Sequence, residues 1–435
     1  MFTIGIRRED KTDQERRAPL APHHVEQVLQ NDSIKCIVES SMTRCFPDED
    51  YARAGAEIVQ VLPGCDLIIG VKEIPITRLQ PGKPHIFFSH TIKGQSYNMP
   101  LLQEFLNLKC TLIDYELVAN EEDQRLIFFG VQAGQAGMVN SLWSLGQRWR
   151  AFGISAPFEM IHQARTYESL NHARVDIIEA GKQFKEINLS GDSSPIIIGI
   201  TGYGRVSQGA QEILDLLEPE EISPSELISK SDSGELLDNH IYKVVFYEKD
   251  MFEPIDTNTP FDLQEYFDYP GRYKSKFERF LPYLTVLINA IYWTPKCPRI
   301  VTFENLDDLF ETSEKPRLIV IGDITCDVGG SIECNLEATL PENPVYTVDP
   351  KTREAEDGFN GNGILMMAVD ILPTEIPKES TQVFGDMLTP YLADIAQTDY
   401  SESFETLKLP LPFKKAVIAY QGDLTPDFEY LRKHL

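Results

Sequence analysis

The chain has 435 residues, 42% hydrophobic and 25% charged, the composition of a globular protein with more than one core. Its formal net charge of −27 argues against nucleic acid or an anionic membrane as partner. No apolar run approaches the roughly 20 residues of a membrane span, so no membrane association is expected. The N-terminus "MFTIGIRREDK" has no apolar signal-peptide core, and the seven cysteines form neither CxxC nor a Cys/His metal spacing. Reduced thiols, no metal and a cytoplasmic location are therefore expected.

In chain order, "FTIGIRRE", "KCIVES", "DLIIGVK", "HIFFSHT" and "CTLIDYE" alternate with helix-like stretches, which predicts a parallel sheet. "NMPLLQEFLNL" predicts a helix with Asn98 as N-cap. "RLIFFGVQAGQAGMVNSLWSLGQRW" reads as a strand running into a helix, where Gly134, Ala136 and Gly137 permit close packing. A long helical segment continuing past Ala164 would link two domains. A second strand series opens at "PIIIGITGYGRVSQGAQEILDLL" and continues through "YKVVFYE", "LTVLINAIY", "RLIVIGDI" and "NPVYTVD". The acidic, Ser- and Pro-containing insert between Leu217 and His240 reads as surface loop and short helix. After Gly363, "GILMMAVDIL" and "STQVFGDMLTPYLADIA" read as helices returning to the first domain. The expected fold is α/β, two Rossmann-like domains with parallel sheets flanking a central cleft. Residues 1–140 plus about 375–435 would form the substrate domain, and about 141–374 the dinucleotide-binding domain.

"GITGYGRVSQGA" follows a run of isoleucines and precedes an amphipathic helix. Gly202-x-Gly204-x-x-Ser207 approximates GxGxxG/A, with Gly209 two residues later. Gly202 would permit the tight turn, and Gly204 would let backbone approach a pyrophosphate at the helix N-terminus. The bland alternative is an ordinary glycine-rich βα turn. The next strand ends at Tyr247-Glu248-Lys249, where Glu248 would bond ribose hydroxyls and repel a 2′-phosphate, favouring NAD, against the adjacent charge of Lys249.

Ligands bind outside the carboxyl ends of parallel strands. The first series puts Lys72, His90, Asp114 and Glu116 at such ends, and its first strand leads to Arg16 and Arg17. Singly, each has a structural reading: a solvated strand end for Lys72, a backbone hydrogen bond for His90, a surface ion pair for Glu116. As a set on one rim, facing a nicotinamide on the other, they suit hydride transfer with separate proton-transfer groups.

"ERRAPLAPHHV", "GVKEIP", "FFSHTIKGQSYNMPLL", "LIDYEL", "FGVQAGQAGM", "GYGRVSQGAQEI", "LINAIYW", "DITCDVGGSIE" and "AVDILPTEIPKEST" together resemble lysine–2-oxoglutarate reductase, the saccharopine-forming half of bifunctional aminoadipate semialdehyde synthase. The resemblance runs from the first strand to about Ile395. Fungal lysine-forming saccharopine dehydrogenase is a close relative of that family, and alanine dehydrogenase with the transhydrogenase N-terminal domain a more distant one. The chain is too short to carry the glutamate-forming dehydrogenase domain as well. The resemblance implies a reaction among lysine, 2-oxoglutarate and saccharopine, with Lys72 and His90 as the acid–base pair. It implies Arg17 as the carboxylate-binding cation, Lys93 and Gln95 as further substrate contacts, and Arg125 on substrate or pyrophosphate. Phe129 would shape the pocket, and Glu116 would tune Lys72 or His90. The cofactor loop would be Gly202, Tyr203, Gly204, Arg205 and Val206, with Asn289, Ile291, Tyr292 and Asp327 towards the nicotinamide. The cofactor would be NADP or NAD: animal and plant reductases generally use NADPH, and Glu248 departs from their basic pattern. The alternatives are an opine-type or alanine-type dehydrogenase and a non-catalytic, nucleotide-binding regulatory relative. The oligomeric state stays open.

Overall fold

Runs of buried Ile, Val and Leu, flanked on both faces by helices, organise two parallel sheets in the computed structural model, which describes residues 1–187, 189, 193–313 and 315–435. The chain divides into two compact units, 1–129 with 377–435, and 130–376.

Among the described residues the first unit has an eight-stranded sheet, in spatial order Asp423–Leu424, Val417–Tyr420, Thr111–Asp114, Pro84–Phe87, Leu67–Ile69, Phe2–Ile6, Ile34–Glu39 and Glu57–Val59. The strands from Thr111–Asp114 to Glu57–Val59 pair in parallel, and the two at the far edge pair antiparallel. Ile4, Ile6, Ile69, Ile86 and Ile113 pack with Phe384 and Leu388 of the helix Pro377–Gln397. Ile68, Phe87 and Leu112 pack on the opposite face with Leu102 and Phe105. Burial on both faces explains why these strands read as continuous apolar runs. The winding reverses between Phe2–Ile6 and Leu67–Ile69, a topological switch point where strand ends leave a crevice.

The second unit repeats the plan. Its sheet runs Ala355–Asp357, Val345–Val348, Ile364–Met367, Val320–Asp323, Val286–Asn289, Ile196–Thr201, Ile241–Phe246, Glu220–Glu221. It is parallel from Ile364–Met367 onward. Its switch point lies between Ile196–Thr201 and Val286–Asn289. No helix among the described residues is long and apolar enough to cross a membrane.

Several elements differ from expectation. "ILMM" at Ile364–Met367 is a fully buried strand rather than a helix, because a short apolar run carries no readable period. "NPVYTVD" contains an antiparallel strand, Val345–Val348. Leu126 to Phe129 are not a strand. The helix Gly130–Ala151 begins directly after them and belongs whole to the second unit, so the crossover precedes the expected position at 140. That helix ends at Ala151, and the next long one is Leu170–Glu186, so the linking helical segment is broken. The helix Met99–Asn107 forms with Asn98 at its N-cap position as expected, but the side chain makes no capping bond; its Nδ2 donates to the His90 carbonyl at 3.0 Å. Gly134 is packed as its composition suggested: a Cβ there would collide with the Val206 carbonyl oxygen.

Candidate active site

The first switch point gathers charge because several strands end on it together. Arg7 follows the strand Phe2–Ile6, and its N–H donates to the Ile69 carbonyl at 3.1 Å. Lys72 follows Leu67–Ile69, and His90 follows Pro84–Phe87. Ser89 N–H donates to Asp114 Oδ2 at 3.1 Å, tying the next strand end to these.

His90 holds a left-handed backbone, φ +52°, unusual for a non-glycine residue. Its Nδ1 lies 2.7 Å from Glu73 Oε1, and Lys11 Nζ lies 2.7 Å from each Glu73 oxygen. Burial alone would raise Glu73, but the bonds from His90 and Lys11 outweigh it and hold the carboxyl at about 2. An ionised Glu73 makes Nδ1 the protonated nitrogen and leaves Nε2 as the working one. The Lys72 ammonium is held below its usual range, first by burial and then by Arg17, against the opposing pull of Glu15 and Glu73.

Arg17 is buried and donates from Nε and Nη2 to the two oxygens of Glu15, at 2.7 and 2.6 Å. Its guanidinium lies 4.3 Å from the Phe129 ring centroid, and Phe129 stacks on Phe384 at 5.0 Å. This bidentate pair fixes the guanidinium plane. Lys93, Gln95 and Arg125 are exposed, outside the bonded network of Lys11, Glu15, Arg17, Glu73 and His90. Gln95 Oε1 accepts from the Tyr97 hydroxyl at 2.9 Å. Glu116 sits beside Asp114, donating its N–H to Oδ1 at 2.8 Å, while Asp114 itself is pushed up by burial.

The sequence reading passed over Glu9, Lys11, Glu15 and Glu73. Glu73 stands inside the "VKE" motif and Glu15 inside "ERRAPL", so adjacency to a motif was the available signal for both. Glu9 has no such signal, because its partners lie across the sheet at Val71 and Lys72.

In the second unit, Gly202 takes φ +81°, and a Cβ there would come within 3.2 Å of the Ala290 carbonyl oxygen and 3.1 Å of Ile291 Cγ2. The two loops of the switch point therefore touch at a position that only glycine fits. Gly204 is the N-cap of the helix Arg205–Leu214, whose N-terminus therefore opens at the glycine turn. A cavity of about 440 Å³ opens here, lined by Gly202, Tyr203, Gly204, Glu248, Tyr266 and Ile291 among others. Tyr203 stacks on Tyr247 with centroids 4.9 Å apart. Its hydroxyl is raised by burial and by the neighbouring Glu248. The strand ends at Phe246, and Glu248 opens a short helix, Glu248–Met251. Lys249 does not line this cavity; it lines another, of about 780 Å³, with Arg279, Asp232 and Asp250. Arg205 and Val206 are the first two helical residues.

Asn289 is fully buried: its Nδ2 donates to Asp323 Oδ1 and Ser331 Oγ, each at 2.8 Å, and its Oδ1 accepts from Thr201 Oγ1 at 2.9 Å. It ties three strand ends together beneath the cavity. Tyr292 is 91% exposed. The Asp327 carbonyl accepts from Gly330 N–H at 2.8 Å in the turn beyond Val320–Asp323. The tight glycine turn, the helix N-terminus and a carboxylate after the adjacent strand make up the donor and acceptor set that fits a dinucleotide.

Two parallel-sheet units, one with a glycine-turn cavity and one with a Lys/His/Arg cluster at its switch point, define an α/β protein of two Rossmann-like units. Residues 5–136 match the alanine dehydrogenase/PNT N-terminal domain and residues 271–427 the alanine dehydrogenase/PNT C-terminal domain. The chain belongs to this family. It is 37% identical to alpha-aminoadipic semialdehyde synthase of Arabidopsis thaliana, an alignment covering 98% of this chain and 41% of that protein. It thus spans less than half the length of that relative. It is 23% identical to saccharopine dehydrogenase [NAD(+), L-lysine-forming] of Emericella nidulans, over 90% of this chain and 92% of that one. Among solved structures it shares the fold of an L-alanine dehydrogenase, with a TM-score of 0.60, 18% identity and 99% of each chain covered.

Proposed function

We propose that this chain condenses the ε-amine of L-lysine with the ketone of 2-oxoglutarate and reduces the imine to saccharopine with a reduced nicotinamide, or runs the reverse. The observation that carries the reading is the Lys72/His90 pair on successive strand ends, with His90 Nδ1 held by Glu73 and the Arg17–Glu15 pair beside Lys72. The relatives named for saccharopine and for aminoadipic semialdehyde support it.

The chemistry requires proton transfer at nitrogen and at oxygen. The carbon–nitrogen bond forms when a neutral amine attacks the ketone, so a base must first take a proton from the lysine ammonium. Lys72, with its ammonium disfavoured by burial and by Arg17, is suited to that step. The carbinolamine hydroxyl leaves as water, and His90 Nε2 supplies the proton to it. Arg17 binds a substrate carboxylate, and its Glu15 partner keeps the guanidinium from rotating away. The bound cofactor supplies the hydride that reduces the imine carbon.

The preferred cofactor is NAD(H). Glu248 shares its cavity with the glycine turn, where its carboxylate accepts from ribose hydroxyls, and Lys249 lines a different cavity. A 2′-phosphate would meet the like charge of Glu248 there, and Lys296 is the cation that lines the same cavity. The test follows reduced-cofactor absorbance with 2-oxoglutarate and single amino acids. Lysine should support turnover and NADH should outperform NADPH, with Glu248→Ser narrowing that gap. Alanine or ornithine outperforming lysine would reject the substrate, and an unchanged preference in Glu248→Ser would reject Glu248 as ribose reader.

A further inference from the structure

Beneath Lys72 lies a carboxylate that the proposed chemistry does not use directly. Glu9 is buried, three residues past the first strand, and its two oxygens are divided between two consecutive amides of another strand end. Oε1 accepts from Val71 N–H at 2.7 Å and Oε2 from Lys72 N–H at 2.9 Å. Arg7 Nη1 lies 3.5 Å from Oε2. The place is shaped for this carboxylate. A Cβ at Gly70 would come within 3.0 Å of the Arg7 side chain and 3.2 Å of Glu9 Oε1, so Gly70 lets both side chains close on the strand.

We infer that Glu9 is the positioning residue for Lys72: by taking the backbone N–H groups of both Val71 and Lys72, its carboxylate fixes the strand end from which the Lys72 amine is presented. The inference rests on the proposed role of Lys72. An ionised carboxylate offers an acceptor to each amide. Once protonated, one oxygen becomes a donor, and a buried N–H loses its partner. The groups acting on Glu9 are the Arg7 guanidinium and the Glu15 carboxylate, with Tyr115, whose buried hydroxyl has no hydrogen-bond partner among the described residues, also within its field. Burial, against Arg7 and the two amides, pushes Glu9 up to about 7, so the clamp loosens as pH falls through neutrality.

Two measurements test this. In the wild type, amide exchange of Val71 and Lys72, corrected for the intrinsic pH dependence of exchange, should show at least tenfold higher protection at pH 8 than at pH 6. Equal protection overturns the inference. This readout needs no turnover, so it decides Glu9 even if the lysine reaction is not observed, a result that would sink the proposed function instead. In kinetics, Glu9→Gln should lower kcat at least tenfold at pH 8, leave the NADH Kd within twofold, and lack the acidic limb near pH 7 seen in the wild type. Glu9→Asp, which keeps the carboxylate, should restore that limb. A Glu9→Gln enzyme that retains the wild-type limb, or is merely less heat-stable at full kcat, contradicts the inference. If Glu9→Gln does not fold, the wild-type exchange result decides.

Discussion

At His90 a non-glycine residue is held at φ +52°, a backbone conformation that costs roughly 1–3 kcal/mol and persists where surrounding bonds enforce it. Those bonds are visible: Nδ1 to Glu73 on one side, and the His90 carbonyl to Asn98 Nδ2 on the other. The imidazole is thereby held in place, as the proposed proton-transfer role requires. Lys72→Met and His90→Gln should each slow turnover by roughly 10²-fold or more while leaving cofactor binding intact, since general acid–base groups contribute about that much. Near-full turnover across the pH profile in either variant would remove that residue from the chemistry. Arg17→Ala should raise the KM for 2-oxoglutarate by about 2–3 kcal/mol of lost charge-assisted bonding. It should also lower the melting temperature, because buried Glu15 is left unpaired. An unaltered KM with a lowered melting temperature would make Arg17 structural only.

Within the second unit, the segment Leu372–Glu375 carries a buried acid, Glu375. Its carboxylate accepts from Asn140 Nδ2 at 2.9 Å and Gln163 Nε2 at 3.2 Å, yet burial outweighs these bonds and raises it from 4.5 to about 7. The folded chain therefore keeps a proton that the unfolded chain has released between those values. Stability from this group is complete below about 4.5, falls as pH rises, and is fully lost above about 7. Relative to wild type, Glu375→Gln should gain about 2 kcal/mol between pH 5 and pH 7.5 in urea unfolding. Tryptophan fluorescence suits the measurement, because Trp143, Trp149 and Trp293 all lie in the second unit. A difference that does not move with pH would place the proton elsewhere.

Legibility also divides at the level of elements. Strands rich in isoleucine and valine, such as Ile196–Thr201 and Ile241–Phe246, are readable because a β-branched run bounded by polar residues has one good interpretation. Ile364–Met367 and Val417–Tyr420 were not: the first is a Leu/Met run that also suits a helix, and the second follows a long helix and pairs antiparallel with distant Thr111–Asp114. Groups at strand ends were legible as a set; their partners were not. Glu15 on Arg17 and Glu73 on His90 depend on loop geometry, and Glu9 on pairing across the sheet, none of which a local pattern encodes.

Across the whole chain, each unit uses the carboxyl ends of its parallel strands at a reversal of winding, the first for a cluster of acid–base groups and the second for a glycine turn and cavity. Within a chain of net charge −27, Arg7, Lys11, Arg17 and Lys72 gather around one switch point interleaved with Glu9, Glu15 and Glu73, so the site carries charges of both signs in fixed pairs. The central claim is that hydride and lysine meet in one product. The purified chain should be incubated with L-lysine, 2-oxoglutarate and NADH fully deuterated at the nicotinamide C4, and the product weighed by mass spectrometry. The predicted product has the mass of both substrates less one water, plus one deuterium and one hydrogen, and with Lys72→Met it should form roughly 10²-fold more slowly or less. No lysine adduct in that incubation, with deuterium entering alanine when pyruvate and ammonium replace the two substrates, would contradict the account.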